Sequence, residues 1–190
     1  MRVKTPYSIT PVSPLDVDTV LAFEHENRHY FERSVPPRGE LFFDRSWQIE
    51  KLKELSCDPM GRYSLVKEQT GEVVGRINLT FKWQRGSFLA EIGYRVAERQ
   101  IGKGVATCAV QDALAWLKDD GRFHLAQARV SLENRGSFKV LEKLGFEYVP
   151  GEDTRVSLNG SGLLLHLYRL PLNQYMEADI HSAGSPQCLS

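Results

Sequence analysis

The stretch from Phe88 to Lys118 constrains this chain most. Ala106, Ala109, Val110, Ala113, Leu114 and Leu117 recur at offsets 0, 3, 4, 7, 8 and 11, the spacing that lines one face of an α-helix. Directly ahead stands Arg99-Gln100-Ile101-Gly102-Lys103-Gly104, and ahead of that Phe88 to Val96. In that run Leu89, Glu91, Gly93 and Arg95 share one side by strand alternation. A strand, a glycine turn and an amphipathic helix in immediate succession require a sheet with a helix laid on it. The helix is predicted over residues 103–118, with Gly121 ending it.

The flanking pattern extends this into an α+β architecture. Tyr63–Lys67, Val73–Trp83 and Phe88–Val96 read as strands joined by Gln69-Thr70-Gly71-Glu72 and Gln84-Arg85-Gly86-Ser87, which makes an antiparallel meander. Two helices precede it, one from Val17 toward Phe31 and one from Asp44 to Ser56. A loose edge strand at residues 7–12 comes before both. After the central helix come a strand at Phe123–Leu132, a helix at Arg135–Leu144, a short strand at Phe146–Val149 and a last strand at Leu163–Leu170. The expected fold is a mixed, mostly antiparallel sheet of six to seven strands flanked by about four helices. Residues 1–172 are expected to form a single domain, and residues 173–190, which lose periodicity, a flexible tail.

Composition narrows the function classes. The 190 residues carry 24 Lys+Arg against 24 Asp+Glu, which gives neither the basic stripe of a nucleic-acid binder nor a polybasic membrane-surface segment. No apolar run reaches the ~20 residues of a membrane helix, and the first residues lack the apolar stretch of a secretion signal. Cys57, Cys108 and Cys188 form no CxxC pair, which points to a reduced, cytoplasmic setting. His25, His29, His124, His166 and His181 show no HxxxH or HExxH spacing, so no metal is expected.

The glycine turn carries the chemistry. Unpaired backbone N–H groups and the helix dipole make a helix start attractive to anions, and glycines let a phosphate approach closely. A dinucleotide fingerprint would require glycine at position 107, where Thr107 stands. A P-loop would require glycine at 97 and Ser or Thr after Lys103, where the chain has Ala97 and Gly104. A plain glycine bend without a ligand is the bland alternative.

The wider pattern resolves the matter by resemblance. Arg99-x-x-Gly102-x-Gly104 is followed by Asn134-Arg135-Gly136-Ser137 and Leu141-Glu142-Lys143-Leu144-Gly145-Phe146. Together these resemble the GNAT superfamily of N-acetyltransferases, which use acetyl-coenzyme A, over about residues 7–172. Glu26-Asn27-Arg28 before a loop rich in aromatics and prolines is similar to the RimJ/RimL-like branch, which acetylates protein N-termini.

The resemblance implies roles for particular residues. Ile101, Gly102, Lys103, Gly104, Val105 and Ala106, with Arg99 and Gln100 leading into them, would hold the coenzyme A pyrophosphate. Tyr94, Arg95 and Val96 would pair with the pantetheine arm along a strand edge splayed from its neighbour. Asn134 would contact the same arm, though it also suits the N-cap of the helix beginning at Arg135. Ser137 would hydrogen-bond the departing thiolate, since Leu141 stands where many members place a tyrosine. Glu91 would be the general base, its carboxyl raised by half-burial, although an α-amine with a pKa near 8 is already partly neutral. The loop from Asn27 to Phe43 would line the acceptor channel. The activity implied is direct transfer of acetyl to a primary amine, without an acyl-enzyme on Cys108. The acceptor would be a protein N-terminus, or alternatively a small-molecule amine such as a polyamine, amino-acid derivative or aminoglycoside. A non-catalytic coenzyme A-binding module is the rival outside enzymes. The size suits a monomer or a homodimer.

Overall fold

The computed structural model describes residues 6–172, apart from 85, 132, 159 and 160; the expected tail at 173–190 lies outside the described residues. The chain runs β1 (Tyr7–Pro11), α1 (Val17–Glu26), a single turn α2 (Arg28–Phe31), α3 (Arg45–Cys57), β2 (Gly61–Glu68), β3 (Val73–Gln84) and β4 (Ser87–Val96). It continues through α4 (Val105–Asp120), β5 (Phe123–Val130), α5 (Arg135–Lys143), β6 (Glu147–Tyr148), β7 (Thr154–Leu158) and β8 (Ser161–Pro171). The sheet order is β1-β2-β3-β4-β5-β8-β6, with β7 pairing on β8. Every pairing is antiparallel except β4 with β5.

The expected mixed sheet is therefore present, with two differences of detail. The first helix is broken at Asn27, which adds α2 to the four helices expected. Asn27 is buried; its side-chain amide donates to the Phe23 carbonyl at 2.8 Å while its Oδ1 accepts the Glu98 N–H at 2.9 Å. A side chain that holds both its own helix end and a distant turn stops the helix where apolar spacing alone would continue it. The second difference is β7 (Thr154–Leu158), a strand that falls between the expected elements at 146–149 and 163–170.

Helices cover both faces. The α4 stripe Val105, Ala109, Val110, Ala113, Leu114 and Leu117 packs with Ile77, Leu79 and Phe81 of β3 and Ala90 and Ile92 of β4. On the opposite face Val17, Val20 and Phe23 of α1 and Leu52 of α3 close over Leu65 and Val73. Burying each such Leu or Val contributes about 1.5–3 kcal/mol. Gly75 sets how tightly β3 sits under the start of α4. A Cβ there would meet the Arg95 carbonyl oxygen at 3.0 Å and Val105 Cγ1 at 3.3 Å, so a larger residue would push the glycine turn away from the sheet.

Candidate active site

Two local decisions build the site. The first is the parting of the parallel pair. β4 and β5 are in register from Phe88↔Phe123 to Glu91↔Gln127 and no further. Beyond that point Ile92–Val96 of β4 and Ala128–Val130 of β5 belong to strands that have separated. The separation leaves one edge of β4 without a backbone partner, and such an edge accepts an extended amide-bearing ligand as another strand would.

The second decision is the turn that follows. Gly102 and Gly104 have φ of +78° and +83°, values that L-residues with side chains rarely adopt. A Cβ on either would meet nothing within 4 Å, so the space in front of the turn is open. The N–H groups of Gly102, Gly104, Val105, Ala106 and Thr107 make no hydrogen bond among the described residues. Free amides at the start of a 16-residue helix form a cradle for negative charge. The helix starts at Val105 rather than Lys103, because Gly104 in the left-handed region serves as its cap.

Two cavities border this framework. The larger, of about 400 Å³, is lined by Val96, Gln100, Ile101, Gly102, Gly104, Val105 and Ala106 on one side and by Gly136, Lys139, Val140 and Lys143 of α5 on the other. The smaller, of about 310 Å³, lies among Glu24, Arg38, Arg76, Asn78, Gly93 and Ser131. They share Ser34, Val35, Tyr94, Arg95, Asn134 and Ser137 in their walls. Gly93 stands opposite Asn78 in the strand register, and a Cβ added to it would meet nothing within 4 Å. A mid-strand glycine weakens a sheet, and here it keeps a cavity open.

At the junction, the Tyr94 hydroxyl donates to the Ser137 carbonyl at 3.3 Å, linking β4 to α5. Burial pushes the Tyr94 phenol up, with the Ser137 hydrogen bond opposing. Asn134 caps α5, its Oδ1 accepting the Ser137 N–H at 3.1 Å. Its amide nitrogen makes no hydrogen bond among the described residues. The capping reading of Asn134 is therefore right, and it leaves the residue free to bind a ligand as well.

The structure thus gathers Tyr94, Arg95, Val96, Gln100, Ile101, Gly102, Gly104, Val105, Ala106, Asn134 and Ser137 around one continuous cleft. Three expected residues stand apart. Arg99 is bonded to Glu72 and lines neither cavity. The Lys103 carbonyl accepts from the Tyr7 hydroxyl at 3.2 Å, and the residue also lines neither. Glu91 lies outside both cavities, held by Lys82 Nζ at 2.7 Å, Arg129 Nη1 at 3.1 Å and Gln127 Nε2 at 3.2 Å. Its expected raised pKa is not what the structure gives. Burial does push the carboxyl up, but the hydrogen bonds from Lys82 and Gln127 and the charges of Lys82 and Arg129 outweigh it and leave the carboxyl below its ordinary value.

Sequence reasoning named Arg95 but missed the residues that share the charged wall of the smaller cavity with it, Glu24, Arg38 and Arg76. Glu24, only 2% exposed, accepts from Arg76 Nη1 at 2.5 Å and from Arg95 Nη1 at 3.1 Å. It lies on an otherwise apolar helical face, and its partners are 52 and 71 residues away. A charge inside an apolar stripe is the one local signal that could have marked it.

A parted strand edge that runs into a glycine-opened helix start can take an extended ligand with an anionic end, and a second cavity lies where that edge leads. Comparison with known proteins agrees. The family described as "Acetyltransferase (GNAT) domain" matches residues 8–147. The chain is 28% identical over 165 residues to the probable N-acetyltransferase YjcK of Bacillus subtilis (strain 168), covering 84% of this chain and 90% of that protein. Among solved structures, the ribosomal-protein-S5-alanine acetyltransferase from Vibrio fischeri has a TM-score of 0.81 at 22% identity, covering 92% of this chain and 97% of that one. Mycobacterium smegmatis RimJ in complex with CoA-disulfide has a TM-score of 0.76 at 20% identity, covering 87% and 81%. The chain belongs to the GNAT family of N-acetyltransferases.

Proposed function

We propose that this protein transfers acetyl from acetyl-coenzyme A directly to the α-amine at a protein N-terminus. The observation that carries the reading is the parting of β4 from β5 after Glu91 and Gln127, which leads from a cradle of free amides to a second cavity. The relatives named as acting on a ribosomal-protein alanine, among them the Vibrio fischeri protein, support an α-amine acceptor.

In this reading the amides of Gly102 and Gly104 through Thr107 would hold the pyrophosphate, and the open edge at Tyr94–Val96 with Asn134 would hold the pantetheine arm. When bound, acetyl-coenzyme A supplies an acetyl thioester. Ser137 stands where the two cavities meet and would hydrogen-bond the departing thiolate, a leaving group of ordinary pKa about 8.5. The attacking amine must be neutral. The guanidinium-rich wall formed by Arg38, Arg76 and Arg95 disfavours an ammonium beside it and lowers that group's pKa from its ordinary value near 8. An amine so poised needs only water to take its proton. Glu91, already paired, serves as the pin at the apex of the cleft rather than as the base.

Two synthetic peptides test the reading with intact-mass detection, one with a free N-terminal alanine and one N-terminally blocked with an internal lysine. Gain of one acetyl group on the free N-terminus alone is the expected result. Acetylation of the lysine, or of neither peptide, overturns it.

A further inference from the structure

The smaller cavity is more positively charged than an amine acceptor alone requires. Arg38, Arg76 and Arg95 face it against a single carboxylate, Glu24. Arg129 lies in the same wall and is matched by Glu91 from outside the cavity. Glu24 is shared between two guanidiniums, and among the described residues the only side-chain hydrogen bonds of Arg76 and Arg95 are those to it. Arg38 forms no ion pair among the described residues. Its guanidinium lies over the Phe42 ring at 4.3 Å, at the exposed rim of the cavity. Guanidiniums with unused donors in a partly desolvated wall form strong, directional bonds to carboxylates. On the same wall Asn78 Oδ1 is buried with no partner, a complementary acceptor for an N–H of whatever enters. At about 310 Å³ the cavity is at the small end of ligand sites, so it takes the first residues of a chain and not a folded surface.

We infer that the acceptor carries a carboxylate side chain within its first two residues, and that Arg38, with the Glu24-tethered pair Arg76 and Arg95, selects it. This rests on the α-amine reading above and adds a substrate class to it. Arg38 comes from the loop between α2 and α3, so that loop decides the charge an acceptor must bear. An acidic residue beside the N-terminus would supply one counter-ion and still leave net positive charge in the wall to disfavour the ammonium, whereas the isosteric amide would leave the whole excess uncompensated.

The test compares peptides identical except for Asp against Asn at the second position, with Glu against Gln as a second pair, all with a free N-terminal alanine. The acidic peptides should show kcat/KM at least about tenfold above their amide partners, the size of one charge-assisted hydrogen bond. Arg38→Gln should bring the ratio toward unity, and Arg38→Glu should invert it, with calorimetric binding of coenzyme A showing that both variants are folded. Equal kcat/KM for acid and amide in the wild-type protein overturns this inference and leaves the α-amine reading standing. A ratio unmoved in Arg38→Gln overturns the role of Arg38. Absence of acetylation on every peptide overturns the α-amine reading and this inference with it.

Discussion

Glu91 and Gln127 are the last residues of β4 and β5 to face one another before the strands part, and the Gln127 side chain donates to Glu91 Oε2 at 3.2 Å. The same oxygen accepts from Lys82 and pairs with Arg129. Four side chains therefore fasten the sheet at the apex of the cleft. A carboxyl held charged by two cations is a poor proton acceptor, because its low pKa leaves little driving force for taking a proton at neutral pH.

Glu91→Gln separates a pin from a base. The variant should keep the pH dependence of turnover, which rises as the acceptor amine loses its proton. Its stability should fall by about 1 kcal/mol at pH 7, as for partly exposed ion pairs. Because the Glu91 carboxyl lies below its ordinary value, its stabilisation is complete above the unfolded-state value of about 4.3 and is lost as pH falls through the lowered folded value. The gap between variant and wild type should accordingly close in acid, as followed by denaturant melts across pH. A displaced pH–rate profile would restore the base role.

Gly93→Val fills the smaller cavity from its floor. Added atoms there meet open space, and valine favours a strand, so the melting temperature should hold or rise. The acceptor's kcat/KM should fall at least about tenfold, the scale of ångström misplacement in an active site. Coenzyme A affinity should be unchanged. Steady-state kinetics with parallel calorimetry reads both.

Glu24→Gln leaves Arg76 and Arg95 without their shared carboxylate. Arg76 is 9% exposed and Glu24 2%, and breaking a buried pair by removing one partner costs about 3–5 kcal/mol. For a chain of this size that lowers the melting temperature by roughly 6–20 °C, which circular dichroism follows directly.

What was legible in the sequence follows from the range of each interaction. Ala106 to Leu117 announce α4 because helical packing repeats every few residues. Gly102 and Gly104 mark the cradle because only glycine tolerates their φ. Asn134 reads as a cap because its partner, Ser137, is three residues on. Helix α1 runs past its true end in a local reading because Asn27 is held by the Glu98 amide 71 positions later. β7 alternates only over the short run Arg155-Val156-Ser157-Leu158, too brief to stand out by itself; it is fixed as a strand by pairing with β8, from Thr154↔Leu165 to Leu158↔Ser161. The charged wall of the smaller cavity draws Glu24, Arg38, Arg76 and Arg95 from four separate segments, and no spacing rule spans them. Arg99 and Lys103 matched the pattern yet line neither cavity; Arg99 is bonded to Glu72, a partner 27 positions away that no local pattern announces.

The cradle itself is tested most directly by titrating coenzyme A into wild type, Gly104→Ala and Gly71→Ala in a calorimeter. Both glycines have positive φ, +83° and +86°, so alanine should strain each fold by a similar ~1–2 kcal/mol. Only Gly104 borders the cleft. The account predicts saturable one-site binding in wild type and Gly71→Ala, with affinity at least about tenfold weaker in Gly104→Ala, the cost of one displaced charge-assisted contact. No saturable heat in wild type, or equal weakening in both variants, would contradict it.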